Sequence, residues 1–425
     1  MQPAAYCRAH ALCPSRNQDD FALHCTLHYT SPLCFVELYL TMLTTLPLPA
    51  AEAQAISNRL CDLIHHDIAA QGGWIPFSRF MELALYTPGL GYYSAGSRKL
   101  GKDGDFVTAP EISPLFGRSL ARQVADIMLQ SAPVILELGA GSGKLAIDIL
   151  GELERIGSLP ERYDILEVSA DLRERQQATL QTCIPHLATR VNWLDTLPEK
   201  ISGVMIANEV LDALPVNLVR WGKMDIAERG VVSKGAEFAW HEQATENTVL
   251  RGFAQKISVP DNYLSEISLA AIRLISTLCG RLERGALLFI DYGFGASEYY
   301  HPQRSEGTLM CHYRHHSHDD PFFLPGLQDI TSHVDFSAVA ENALAQGLNL
   351  LGYTTQANFL INCGITDFLA EQDPEKLRDY LPLSIQLQKL TSPAEMGDLF
   401  KVIALGKGME EPLRGFSRGD KSHYL

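Results

Sequence analysis

A chain of 425 residues is too long for one minimal domain, so two or three units or one enlarged α/β domain are expected. Hydrophobic residues at 46% and charged residues at 20% supply a large core and exclude a fibrous, collagen-like or largely disordered protein. The formal charge of −15 repels phosphate backbones, which weighs against nucleic acid as a partner and suits a basic protein instead. No apolar run reaches the roughly 20 residues a bilayer needs, so no membrane insertion is expected. The longest candidate, Leu33 to Leu46, is broken by Glu37 and three threonines. Nine scattered cysteines, an odd number, do not look like a disulfide framework and fit a reducing, cytoplasmic setting.

Residues 1–45 carry only Arg8 and Arg16 as basic residues and show no sustained period. They match neither a mitochondrial presequence nor a secretory signal, and are expected to be a disordered extension or the product of a start upstream of Met42. On either reading residues 1–41 are dispensable. Cys7, Cys13, Cys25 and Cys34 lie near His10, His24 and His28, but no zinc-ligand spacing connects them.

Residues 46–131 are expected to form a helical and lid-like segment. Ala53, Ile56, Leu60, Leu63 and Ile64 recur at helical spacing, and Phe77 to Tyr86 reads as a second helix. A glycine- and aromatic-rich loop runs from Thr87 through Tyr92 and Tyr93 to Glu111, with the character of a surface turn or of a lid over a pocket. Helix is expected again over Ser113 to Leu129.

From Pro133 the pattern becomes strand, helix, strand. Val134 to Leu138, Tyr163 to Val168, Val191 to Leu194, Val204 to Ala207, Ala286 to Ile290 and Phe400 to Leu405 are short apolar runs. Helical stretches at Lys144 to Leu153 and Leu172 to Leu180 separate the first three. Such alternation predicts a buried, mostly parallel sheet in a doubly wound α/β domain over 132–407. Two insertions interrupt it, a β-meander at about 215–260 and a polar loop at about 295–350 that ends in a helix near Phe336 to Ala345. Residues 408–425 are expected to be a flexible tail. Six histidines, 301, 312, 315, 316, 318 and 333, fall in the second insertion without regular ligand spacing, so a solvated loop is preferred to a metal site.

The stretch Glu137-Leu-Gly139-Ala-Gly141-Ser-Gly143 closes the first of these strands. Alternate glycines turn the backbone tightly and let a ligand approach it. The spacing is neither G-x-G-x-x-G nor that of a phosphate-binding P-loop. It resembles motif I of class I S-adenosylmethionine methyltransferases, where carboxylates complement the cofactor's positive centres. Glu167, ending the second strand, can accept both ribose hydroxyls, although it would serve a nicotinamide dinucleotide equally well. Asp195, after the third strand, is placed to receive the adenine amino group, or else is a cap or turn residue. Asn208 and Glu209 emerge at the carboxyl edge of the fourth strand, and Asp212 follows one helical turn later. Helix-capping acids are the alternative reading of that pair.

Together with Pro88-Gly-Leu-Gly-Tyr-Tyr93, Gly104-Asp-Phe-Val-Thr-Ala-Pro-Glu-Ile-Ser113, Asn208-Glu-Val-Leu-Asp-Ala-Leu-Pro-Val216, Asp291-Tyr-Gly293 and His333-Val-Asp-Phe336, these motifs make residues 50–407 similar to the MidA-type class I methyltransferases. Gly139-Ala-Gly-Ser-Gly143 replaces the family's common G-P-G-R-G but keeps its glycines. The resemblance implies a class I methyltransferase-like sheet and S-adenosylmethionine as cofactor. Glu137, Gly139, Gly141, Gly143, Glu167, Asp195 and Asn208 are the candidates to hold it. It also implies methylation of an accessible arginine on a protein substrate, since mitochondrial members are arginine-methylating complex I assembly factors. Glu209 and Asp212 are the first catalytic candidates, with Asp291, His333 and Asp335 on the same rim and Tyr92 and Tyr93 closing the site. A small-molecule or RNA methyltransferase, and a non-catalytic cofactor-binding assembly factor, are the competing readings.

Overall fold

The computed structural model describes residues 46–94, 108–223 and 225–425. The expectations for residues 1–45, and for the part of the aromatic loop at 95–107, lie outside them. Helices Ala51–Ala70 (α1) and Phe77–Tyr86 (α2) come first, joined by the two-residue strand Ile75–Pro76 (β1). α1 buries Leu60, Ile64 and Ile68, whereas Leu63 faces outward. The short helix Ala109–Ile112 (α3) leads into Pro114–Gln130 (α4). Ser113 Oγ accepts from Leu115 N–H at 3.2 Å and caps α4, and proline occupies the first helical position where no donor is needed.

The alternation then runs Val134–Leu138 (β2), Lys144–Arg155 (α5), Arg162–Leu166 (β3), Ala170–Cys183 (α6), Val191–Leu194 (β4) and Ile201–Asn208 (β5). The insertion that follows contains Asn217–Trp221 (β6), Ile226–Lys234 (β7), Glu237–Ala244 (β8), Thr248–Ala254 (α7) and Tyr263–Ile267 (β9). It is a meander, as expected, but larger, because β1 and β9 complete an antiparallel five-stranded sheet with it. The chain returns to the main sheet through Leu269–Arg281 (α8) and Leu282–Phe294 (β10).

The stretch expected to be mostly loop after residue 295 is more ordered than that. It holds Ala296–Tyr299 (α9), then Met310–Tyr313 (β11), His316–His318 (β12) and Asp329–Thr331 (β13), which pair in the order β12-β11-β13. These strands have three or four residues and a sequence dense in His and Asp, so no period-2 apolar signal announces them. Val334–Asp335 (β14) pairs in parallel with Gly293 and Phe294 before Phe336–Ala345 (α10), the helix expected there. Asn349–Thr355 (β15), Gln356–Asn362 (α11), Ile365–Ala370 (α12), Leu377–Thr391 (α13) and Phe400–Lys407 (β16) complete the domain.

The main sheet has the order β15-β16-β10-β5-β2-β3-β4, with β14 added to β10. All neighbours from β10 to β4 are parallel, and β16 alone runs antiparallel to both of its neighbours. One apolar layer packs α4 and α5 on one face, and a second packs α8 and α10 on the other. This is the doubly wound, class I methyltransferase-like sheet. The order reverses between β2 and β5, and at such a switch point the carboxyl ends of the strands open a crevice.

Residues 408–425, expected to be a flexible tail, pack against the domain instead. Leu413 and Phe416 are buried, Arg414 pairs with Asp126 at 2.9 Å, and Lys421 N–H donates to Tyr353 O at 2.6 Å. The two apolar side chains are spaced three apart in a segment too short for a period to be recognised.

Candidate cofactor and acceptor site

Gly139, Gly141 and Gly143 sit at φ 63°, 55° and 81°, in the left-handed region that side chains with a Cβ enter only under strain. The loop they shape borders a cavity of about 370 Å³ at the switch point. Its other walls are Leu166 to Ser169 after β3, Asn208 to Val210 after β5, and Tyr86, Tyr93, Thr108, Pro110 and Glu111 from the helical segment. Leu138, Leu166, Val168 and Leu172 give it an apolar side.

Glu167 is held on both oxygens. Its Oε1 accepts from Ser169 N–H at 2.9 Å and its Oε2 from Gln176 Nε2 at 3.0 Å. Gln176, fully buried on α6, also donates from Nε2 to Gly141 O at 2.9 Å and accepts from Trp193 Nε1 at 2.9 Å. One amide therefore ties the glycine loop, the acid after β3 and strand β4 together. Sequence reasoning missed Gln176, because a lone glutamine on a polar helix carries no local signal. Glu137, buried beneath the loop, accepts from Tyr163 OH at 2.7 Å, and burial with the neighbouring Glu167 pushes its carboxyl up to about 7.

At the other end of the cavity Asn208 closes β5 and donates from Nδ2 to Glu209 Oε1 at 3.0 Å. Glu209 itself has φ 52°, a left-handed conformation for a residue with a side chain. Its N–H donates to Ile290 O at 2.9 Å, and the Ala109 amide lies close enough to its carboxyl to favour the charged form. Asp212 is buried, the Tyr292 hydroxyl lies close enough to favour its charged form, and its Oδ1 has no hydrogen-bond partner among the described residues. Asp291 locks the turn below: Oδ2 accepts from Leu211 N–H at 2.9 Å and Asp212 N–H at 3.2 Å, and Oδ1 from Tyr292 N–H at 2.9 Å. Tyr93 OH reaches both oxygens of the buried Asp329, at 3.0 and 3.1 Å, and its ring stacks on Tyr86. Burial, then repulsion from Asp212, lifts Glu209 to about 8. Burial lifts Asp212 to about 6, and burial with repulsion from Asp212 and Glu209 holds Asp291 well above the usual carboxylate range. No ion pair among the described residues involves these three acids.

A sequence profile of the family described as "putative S-adenosyl-L-methionine-dependent methyltransferase" matches residues 119–354. The chain belongs to this methyltransferase family. It is similar, at 49% identity and a TM-score of 0.87, to a Burkholderia thailandensis protein whose crystal structure holds S-adenosyl-homocysteine. That likeness covers 90% of this chain and 100% of that one. It is also similar to relatives named mitochondrial protein arginine methyltransferase NDUFAF7. The Drosophila melanogaster homologue is 28% identical, covering 87% of this chain and 91% of its own. The Bos taurus protein is 30% identical, covering 83% and 85%. The resemblance to MidA-type enzymes thus holds. The protein is an S-adenosylmethionine-dependent methyltransferase, and S-adenosylmethionine is its cofactor. Among its described residues no helix is long and apolar enough to cross a membrane.

The cavity of this methyltransferase fits that cofactor. At Gly139 and Gly143 an added Cβ would meet Val210 Cγ2 and Gln176 Cγ at 3.4 Å, an ordinary contact, so it is the left-handed backbone that calls for glycine there. Glu167, a buried acid fixed by two donors, and an apolar side line the same cavity.

Of the residues expected at the site, Gly143, Asp212 and Asp291 adjoin the cavity's walls without lining it, and Asp195, His333 and Asp335 are not brought to it. Asp195 lies outside the cavity, its carboxylate 86% exposed and paired with Arg173 Nη2 at 2.8 Å. That arginine also donates to Glu167 O and Leu194 O, which pulls the acid outward. His333 and Asp335 line a separate cavity of about 620 Å³. Pairing of β14 with β10 starts α10 at this point, and Asp335 Oδ1 caps it by accepting from Ser337 N–H at 3.0 Å and Ala338 N–H at 3.1 Å. The His333 ring stacks on Phe294 at 5.2 Å, and burial beside Arg304 lowers it to about 4, so it is neutral. Tyr92 is buried behind Tyr93, and only Tyr93 faces the cofactor cavity.

Proposed function

We propose that this methyltransferase acts on an arginine side chain of a protein substrate, with Glu209 and Asp212 gripping the guanidinium. The observation that carries the reading is a cluster of acids with no counter-cation among the described residues: Glu209 borders the cavity at the end of β5, and Asp212 and Asp291, buried and not lining it, lie within electrostatic reach of Glu209. A guanidinium stays protonated at pH values up to about 12, and its planar fork matches carboxylates bidentately. Asp212 Oδ1, buried and without a hydrogen-bond partner among the described residues, is an acceptor such a fork would satisfy. The names of the mitochondrial relatives, at 28% and 30% identity, support the same substrate class.

When bound, the cofactor supplies an electrophilic methyl group on a sulfonium. The residues of the chain supply placement and charge. Gly139, Gly141 and Glu137 border the amino-acid end, Gly143 closes the turn of the loop, Glu167 holds the ribose, and Asn208 orients Glu209. Glu209 and Asp212 localise the acceptor's charge on the nitrogens they touch and hold the remaining nitrogen in line, where positioning dominates the rate. With its carboxyl near 8, Glu209 can also take up the proton that the guanidinium gives up on methylation.

The test is incubation of the enzyme with tritiated S-adenosylmethionine and a lysate from cells lacking it. A labelled band that survives RNase and yields methylarginine on hydrolysis is expected. Label confined to small molecules, or removed by RNase, would overturn the arginine reading and favour the competing acceptors.

A further inference from the structure

The short helix α3 touches both ends of the cofactor cavity. At the acceptor end the Ala109 amide lies close enough to the Glu209 carboxyl to favour its charged form. Two residues on, Glu111 Oε1 accepts from Ser142 Oγ inside the glycine loop, and Lys144 Nζ donates to the Glu111 main-chain oxygen at 3.5 Å. The Glu111 side chain borders the cavity beside that loop, and its Oε2 has no partner among the described residues.

S-adenosylmethionine presents a sulfonium, an α-ammonium, a carboxylate and a ribose diol, so at least one anion should meet the ammonium. Four carboxylates border the cavity: Glu111, Glu137, Glu167 and Glu209. Glu167 is assigned to the ribose, and each of its oxygens already accepts one hydrogen bond, from Ser169 and from Gln176. Glu209 lies beyond the loop, at the end of β5. Glu137 is only 2% exposed, beneath the loop, with one oxygen held by Tyr163. Glu111 remains as the carboxylate on the cavity side of the glycine loop with an oxygen to offer.

We infer that Glu111 is a cofactor-binding residue that receives the α-ammonium of the methionine moiety, held for the purpose by Ser142. The N-terminal helical segment then contributes directly to cofactor recognition instead of only covering the site. A charge-assisted bond of this kind is worth about tenfold or more in affinity.

Calorimetry can isolate it with S-adenosylhomocysteine and its analogue lacking the α-amino group, each titrated into wild type and Glu111→Gln. The glutamine keeps an oxygen for Ser142, so the loop contact survives. S-adenosylhomocysteine should bind Glu111→Gln about tenfold or more weakly, whereas the deaminated analogue should bind both proteins within about twofold. Equal losses for the two ligands would mean a structural role only, and an unchanged affinity for S-adenosylhomocysteine would leave the ammonium to Glu137. Either result overturns the assignment. Should Glu111→Gln fold poorly, Glu111→Asp serves the same cycle, because a shortened carboxylate must still discriminate the two ligands less well than wild type.

Discussion

Gln176 Nε2 lies 3.0 Å from Glu167 Oε2, and the same nitrogen is 2.9 Å from Gly141 O. The amide thereby fixes the distance between the glycine loop and the acid assigned to the ribose. Gln176→Leu leaves both of these acceptors and Trp193 Nε1 unpaired. A stability loss of about 1–3 kcal/mol is expected in denaturant unfolding, with weaker S-adenosylhomocysteine binding by calorimetry. Wild-type values for both would show that the network has no such role.

Gly141→Arg is expected to abolish S-adenosylhomocysteine binding in a folded protein. The residue sits at φ 55°, where a Cβ costs about 1–2 kcal/mol, and its side chain would enter the cavity. Calorimetry on a variant with a native far-UV spectrum decides this. Undiminished affinity would place the cofactor elsewhere.

Glu209→Gln keeps the size of the side chain and removes its charge. It should lower methyl transfer by about 10²-fold or more while S-adenosylhomocysteine affinity stays within a few-fold. Asp212→Asn should follow the same pattern less severely. Normal turnover by Glu209→Gln would leave Glu209 a structural acid.

The raised carboxyls also set a pH dependence. Glu209 at about 8 and Asp212 at about 6 bind protons in the folded, ligand-free enzyme over a range where the unfolded chain, near 4.5 and 3.8, does not. Stability from this source is complete below the unfolded values and is lost as pH rises through about 6 and then 8. Glu209→Gln should therefore melt a few degrees above wild type near pH 9, and the gain should vanish near pH 4. For the same reason kcat/KM should rise with pH through about 6 to 8, as the empty site sheds protons to receive a cation. A melting difference that does not change with pH would argue against a buried, proton-holding Glu209.

Phe416 tests the packed C-terminal segment. It is 8% exposed and its ring lies 5.6 Å from that of Phe359. Phe416→Ala should cost about 3 kcal/mol or more, read from the denaturation midpoint. A loss below about 1 kcal/mol would restore the flexible tail.

Local pattern alone was enough for much of the fold. The apolar run Val134 to Leu138 coincides with β2, Val191 to Leu194 with β4, and Phe336 to Ala345 with α10. The glycine spacing after β2 was likewise legible, because three left-handed turns in five residues demand glycine whatever surrounds them. β7 and the three short strands β11 to β13 were not recognised because their sequences carry no period-2 apolar signal, and the packed C-terminal segment because its partners Asp126, Tyr353 and Phe359 are distant in sequence. β16 was recognised as a strand, but its antiparallel run between β10 and β15 was not.

The site divides along the same line. Sequence by itself determined which residues stand at strand ends: Gly139 after β2, Glu167 after β3, Asn208 and Glu209 after β5. Strand period and turn chemistry are properties of consecutive residues. Only tertiary structure decided where the side chains beyond those ends point. Arg173 draws Asp195 out to solvent, the β14–β10 pairing makes Asp335 a helix cap and puts His333 in another cavity, and helix packing sets Gln176 and Glu111 against the glycine loop. Those choices depend on contacts between residues tens of positions apart, and no local spacing encodes which neighbour a side chain will meet.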